Sequence, residues 1–249
     1  MAILKDVDKR LSGAVSHYWQ TRTAQAEKQG ASGQKDQGFR SAVTGGAQMD
    51  GFSEFVEDLI LEAGLSKESV FRKKALELPG YFRPTKEWDI LAVDNGQLVL
   101  AVELKSQVGP SFGNNFNNRT EEAMGSALDL WTAFREGTFR SATRPWLGYF
   151  FLLEDCPKSR TPVRVTEPHF AVFPEFKDAS YAQRYEHFCR RIVLEGHYTV
   201  ASFLMADAAG VEEADIRNRH PTCGLSRLLN HFLPMLRRTQ ERSSSYDFR

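Results

Sequence analysis

The chain has 249 residues, 41% of them hydrophobic, with Lys+Arg and Asp+Glu balanced at 32 each. That length supports one large core, so a single domain over residues 1–249 is expected. A formal net charge of zero excludes a molecule-wide attraction for nucleic acid, so any such partner must meet local patches. The tail is one patch: from residue 217 onward, seven Arg stand against one Glu and one Asp. Cys156, Cys189 and Cys223 are odd in number and widely spaced, which argues against a disulfide framework and fits a reducing cytoplasm. The opening "MAILKDVDKR" lacks an apolar signal region, and "WLGYFFLL" at 146–153 is too short to span a bilayer.

In chain order, Ile3, Leu4, Val7, Leu11, Val15, Tyr18 and Trp19 recur at helical spacing, predicting an amphipathic helix over 3–28. "KQGASGQKDQGFRSAVTGGAQMDG" follows, with six glycines, no apolar period, and Lys35 and Arg40 placed to meet phosphates if it orders over a ligand. A second helix carries Phe52, Phe55, Val56, Leu59, Ile60 and Ala63 on one face, Glu54, Glu57 and Asp58 on the other, and ends at Gly64. "EWDILAVDNGQLVLAVELKS" predicts a hairpin. "GPSFGNNFNNRT" is expected as a loop before a helix capped by Asn118, with Glu121 at the third position, and closed by Gly137. Residues 146–153 suit a buried strand, "HFAVFPEF" a weaker one, and residues 180–194 and 223–238 helices, the latter kinked at Pro234. "TVASFLMAD" is ambiguous. This order predicts an α/β fold, a mixed central sheet flanked by helices.

The hairpin holds Asp89, Glu103 and Lys105 among apolar neighbours. A two-residue turn at Asn95-Gly96 would spread these charges over both faces. A three-residue loop, Asp94-Asn95-Gly96 with Gly96 left-handed, puts Trp88, Ile90, Ala92, Leu98, Leu100, Val102 and Leu104 on one apolar face and gathers the three charges on the other. Burial therefore favours the three-residue loop. Two carboxylates from adjacent strands beside an ammonium suit a divalent ion such as Mg²⁺, with the lysine orienting a water for attack on a phosphodiester.

Asp89, thirteen residues, then Glu103-x-Lys105 resembles the PD-(D/E)xK nuclease superfamily, although Trp88 stands where the superfamily name has Pro. "ALELPGYFRPTKEWDI", "ELKSQVGPSFGNNFNNRTEEAMGSALDLWTAFREG" and the total length further resemble the XhoI family of type II restriction endonucleases, most strongly over 70–137. The resemblance implies Asp89 and Glu103 as Mg²⁺ ligands, Lys105 as the catalytic lysine, and a homodimer cutting duplex DNA at CTCGAG after the first C, leaving 5′ overhangs. A cognate DNA methyltransferase would protect the host. It also implies a Glu from an earlier helix, for which Glu54 and Glu57 both remain open. Asn114, Asn115, Asn117, Asn118 and Arg119 are candidates for base or phosphate contact, since Asn pairs with adenine and Arg with guanine in the major groove; Lys35 and Arg40 are candidates for phosphates. His220, Cys223 and His231 do not make a zinc site, for want of a fourth ligand at a suitable spacing. Two other readings stand beside the restriction enzyme: a repair or recombination nuclease of the same fold, and a DNA-binding module with structural carboxylates.

Overall fold

A computed structural model describes residues 6–32, 46–139 and 143–207. Five strands form a mixed sheet: β1 (Val70–Phe71), β4 (Ile90–Asp94), β5 (Gln97–Gln107), β6 (Trp146–Glu154) and β7 (Val200–Ala206), adjacent in that order. β1, β4 and β5 are antiparallel neighbours, whereas β6 and β7 run parallel to β5. The parallel connections are made by helices, as such crossovers require. A separate ribbon pairs β2 (Glu77–Pro79) with β3 (Thr85–Glu87).

Helices cover both faces. α1 (Val7–Ser32) and α2 (Asp50–Glu62) pack with Ile90, Ala92, Leu100, Val102, Phe150 and Leu204, while α3 (Phe112–Arg135) and α4 (Tyr181–Leu194) pack with Leu91, Ala101, Tyr149, Phe151 and Phe203. With no solvent-facing side, the central strands are apolar at nearly every position rather than alternating. Every residue from Trp146 to Leu153 is buried. Phe151 stacks on Tyr185 at 4.1 Å between ring centroids, tying sheet to α4; burial of one such ring contributes about 1.5–3 kcal/mol.

The six apolar residues assigned to the face of α2 are all at most 3% exposed. Among the described residues α1 runs from Val7 to Ser32, while Ile3 and Leu4 lie outside them. "TVASFLMAD" resolves as β7, and "HFAVFPEF" forms no strand, only a single turn at Pro174–Phe176. The segment 223–238 and the basic tail lie outside the described residues.

The hairpin departs from its expected turn. Asn95 and Gly96 both have positive φ, 50° and 72°, and Asp94 lies opposite Gln97. This is a two-residue loop of the type whose twist matches the strands it joins. The extra residue is absorbed further along: Val93 pairs with Leu98 but Ala92 with Leu100, leaving Val99 as a bulge. Val99 and Leu100 then face the same core, and the register continues as Leu91 with Ala101 and Ile90 with Val102. Leu98 and Trp88 lie in the core opposite to the one expected. The bulge shifts the register by one residue in the sense opposite to the longer loop, which gives the same parity, so Asp89, Glu103 and Lys105 still converge, with Asp89 opposite Glu103 rather than Ala101.

Candidate active site

β5 outruns its neighbour. β4 pairs with it only as far as Val102, whereas β6 pairs with it to Gln107, so residues 103–107 have a strand on one side and an open cleft on the other. Asp89, just before β4, closes the ladder where the strand stops. Its N–H donates to Val102 O at 3.1 Å, and its Oδ2 accepts from Leu104 N–H at 2.7 Å. Continuing the register places Asp89 opposite Glu103. Lys105 Nζ lies 3.7 Å from Asp89 Oδ2 and contacts Glu103 Oε1, so all three predicted residues meet at one point.

A fourth charged group joins them. Lys86 of β3 donates to Glu103 Oε2 at 2.6 Å, with its Nζ 4.4 Å above the Trp88 ring. Glu103, 4% exposed, thus has one ammonium on each oxygen. Burial works to raise its pKa, but Lys105 and Lys86 overcome that and hold it below the usual carboxylate range. Asp89 keeps 38% of its side chain open, yet desolvation raises its pKa against the pull of Lys105. Burial works to lower the Lys105 pKa, but Glu103 and Asp89 prevail and raise it. The two carboxylates are therefore held in unlike environments, an arrangement that marks reactive sites.

The donor set suits a small hard cation. Among the described residues there is no cluster of three or more His, Cys, Asp or Glu, but Mg²⁺ is commonly held by one or two carboxylates together with water and substrate phosphate. Lys105 already places a positive charge between Asp89 and Glu103, which shows that both carboxylates can address one cation. Asp89 and Glu103 fit a divalent ion on this ground. Glu54 and Glu57 do not join them. Arg72 binds both, at 3.2 and 2.8 Å, and Glu57, buried at the foot of β1, also holds Lys67.

The model of the restriction endonuclease XhoI family matches residues 28–218. The chain belongs to that family. It is 60% identical over 181 residues to the type II restriction enzyme BstVI of Geobacillus stearothermophilus, covering 71% of this chain and 81% of that one. Identity to the type II restriction enzyme XhoI of Xanthomonas vasicola is 46% over 215 residues, 86% of each chain. Identity to AbrI of Azospirillum brasilense is 49% over 168 residues, 67% of this chain and 75% of that one. No solved structure matches. Membership of the XhoI family makes the chain a DNA-cleaving enzyme of PD-(D/E)xK type.

Two clefts meet at Lys105 and Arg119. One, of about 670 Å³, is lined by Phe82, Arg83, Lys86 and Glu103 among others; the second, of about 810 Å³, takes in Asp89, Asn114, Asn115 and Asn118. The asparagines are not on the loop expected. α3 starts at Phe112, with Ser111 before it, so Asn118 is no cap. Asn114, Asn115, Asn118 and Arg119 fall on one stripe of the helix by their four-residue spacing, while Asn117 lines neither cleft. Arg119 is held by Glu122 at 2.7 Å. Lys35 and Arg40 lie outside the described residues, as do His220, Cys223 and His231. The far wall of the larger cleft brings Tyr18, Arg22 and Gln48, which sequence reasoning missed. They come from α1 and the turn before α2, and no local motif connects them to Asp89.

The ribbon tip beside Phe82 is tied down. Asp129 of α3, with 5% of its side chain exposed, accepts from Tyr81 N–H at 2.7 Å, Phe82 N–H at 2.8 Å and Arg83 Nε at 2.7 Å. Burial would raise its pKa, but these donors hold it below the ordinary range. A Cβ on Gly80 would sit 2.5 Å from Asp129 Oδ2 and 2.7 Å from the backbone oxygen of Arg83, so only glycine admits this approach.

Proposed function

We propose that the chain is a type II restriction endonuclease that hydrolyses both strands of duplex DNA at CTCGAG in the presence of Mg²⁺, cutting after the first C. The observation that carries this is the convergence of Asp89, Glu103 and Lys105 at the free edge of β5, in a member of the XhoI family. Asp89 and Glu103 would hold the ion, which when bound supplies charge neutralisation at the scissile phosphate and acidifies its water. Lys105, 23% exposed and poised between the carboxylates, orients the attacking water and stabilises its deprotonated form. Asn114, Asn115, Asn118 and Arg119 line the larger cleft, and their amide and guanidinium groups suit contact with base edges and phosphates. Asn117, Lys35 and Arg40 remain candidates for the same surface.

The 249 residues act as one domain in the cytoplasm, paired with a methyltransferase that protects the host's own sites. Among the described residues no helix is long and apolar enough to cross a membrane. A palindrome is met most simply by a two-fold dimer, in which each protomer presents the same surface to one half-site. The test uses end-labelled duplexes containing CTCGAG or each of its single-base variants, with the cut mapped on both strands and the oligomeric state read by sedimentation. Cuts after the first C in the parent duplex alone, by a dimer, support the reading. Equal cutting of the variants favours the repair nuclease, and metal-independent binding without scission favours the DNA-binding module.

A further inference from the structure

We infer that Lys86 is a positioning residue for the reaction: it pins Glu103 by Oε2 and thereby leaves Oε1 alone to face the ion and Lys105. The inference rests on the reading of Asp89, Glu103 and Lys105 as the catalytic set, and assigns the second lysine a task distinct from the first.

The two ammonium groups are held differently. Lys86 Nζ donates to Glu103 Oε2 at 2.6 Å and to Glu87 O at 2.8 Å, and lies 4.4 Å over the Trp88 ring. An ammonium has three donors, and this one has two acceptors and an aromatic face around it. Its side chain is 12% exposed. It also rides on the ribbon, where Lys86 lies opposite Leu78. Lys105 contacts Oε1, reaches Asp89 only at 3.7 Å and is 23% exposed. Lys105 therefore occupies the place between the carboxylates and is the cation that must give way when a divalent ion enters. Lys86, on the far oxygen, is free to stay. Trp88, at the position where the superfamily name has Pro, forms the seat for this lysine.

Two consequences follow from removing Lys86. Glu103 can then turn and offer both oxygens, and one positive charge is lost from the ion's surroundings. Both changes favour cation binding, above all of Ca²⁺, which takes bidentate carboxylates readily. Catalysis suffers, because Mg²⁺ demands near-octahedral geometry and the water is held only as well as the ligands are. A tighter ion with a slower cut is a pairing that mere loss of packing would not produce.

The experiment compares wild type, Lys86→Met, Lys86→Arg and Lys105→Ala. It measures Ca²⁺ binding by calorimetry without DNA, affinity for a CTCGAG duplex in Ca²⁺, and single-turnover cleavage in Mg²⁺. Lys86→Met is expected to bind Ca²⁺ several-fold more tightly and the duplex within about threefold of wild type. Its cleavage should be about a hundredfold slower, the cost of a misplacement of roughly 1 Å. Lys86→Arg keeps the charge and a donor for Oε2, so its Ca²⁺ affinity should be unchanged and its rate within about tenfold of wild type. Unchanged or weaker Ca²⁺ binding, a wild-type rate, or a loss of duplex affinity parallel to the loss of rate in Lys86→Met overturns the inference. Should the Met variant not fold, the Arg variant carries the test: tighter Ca²⁺ binding, or inactivity equal to Lys105→Ala, refutes it. Wild-type cleavage by Lys105→Ala takes down the catalytic reading and this inference with it, whereas failure confined to the Lys86 variants leaves that reading standing.

Discussion

Deleting Val99 should leave the enzyme active. Val99 is the unpaired residue of the bulge, flanked by the pairs Val93 with Leu98 and Ala92 with Leu100. Without it those pairs become consecutive in a regular ladder, and every residue from Leu100 onward keeps its partner and its face. Glu103 still lies opposite Asp89. The loss is that of one valine at 8% exposure, about 1.5–3 kcal/mol of burial, partly offset by relief of the irregular ladder. In a domain of this size about 1–2 kcal/mol lowers the melting temperature by roughly 2–8 °C. The control is an alanine inserted after Ala101, which slips the strand by one residue and turns Glu103 and Lys105 to the opposite face. Calorimetric melting and single-turnover cleavage in Mg²⁺ distinguish the two variants. The deletion should melt a few degrees lower and cut within about tenfold of wild type, whereas the insertion should not cut. A folded deletion variant without activity would refute the bulge as the device that sets the register.

Three further outcomes are expected. Asp129→Asn replaces an ion that accepts three hydrogen bonds at the ribbon tip, so urea unfolding at neutral pH should show a loss of about 2–3 kcal/mol. Because the folded-state pKa of Asp129 is depressed, its contribution is present above the ordinary carboxylate range and lost as pH falls through the folded value. The gap between wild type and Asp129→Asn should therefore narrow towards acid; a constant gap would show that the charge is immaterial. Asp89→Asn should lower cleavage by about a thousandfold or more, equivalent to several kcal/mol of charge stabilisation. Since desolvation already raises the Asp89 pKa, the same change should leave thermal stability equal or higher; a marked fall in melting temperature counts against it. Finally, the acid limb of the cleavage rate should lie above the usual carboxylate range and move to lower pH as Mg²⁺ is raised, because the ion competes with the proton on Asp89. A limb independent of Mg²⁺ would dissociate Asp89 from the metal.

Much of the architecture was legible because its signals are local. Helical spacing identified the buried face of α2, and the continuous run at 146–153 identified β6, since a strand covered on both sides has no polar positions to break it. The convergence of Asp89, Glu103 and Lys105 followed from requiring apolar residues to be buried, even though the turn chosen to achieve it was wrong. Burial determines the parity of a register more firmly than the register itself, because a G1 loop and a bulge at Val99 put the same residues of β5 on the same side as Asp89 although their pairings differ by two residues. The start of α3 was misplaced because Gly and Asn are ordinary loop residues, while Phe112, 1% exposed and stacked on Tyr181, anchors the first turn through a contact from another helix. Lys86 was overlooked for a related reason. Its bond to Glu103 depends on how the ribbon β2–β3 lies against β5, and a lysine three residues before an aspartate carries no local sign of that. Glu57 shows the converse: it looked solvent-facing by periodicity but is buried on Arg72.

The most direct test is digestion of a plasmid carrying a single CTCGAG, in Mg²⁺ and in EDTA, by wild type and Lys105→Ala. Unique linearisation by the wild type in Mg²⁺, absent in EDTA and in Lys105→Ala, is the predicted result. Cutting that survives EDTA, or linearisation by Lys105→Ala at the wild-type rate, would contradict the assignment of Asp89, Glu103 and Lys105 as the centre that breaks the phosphodiester.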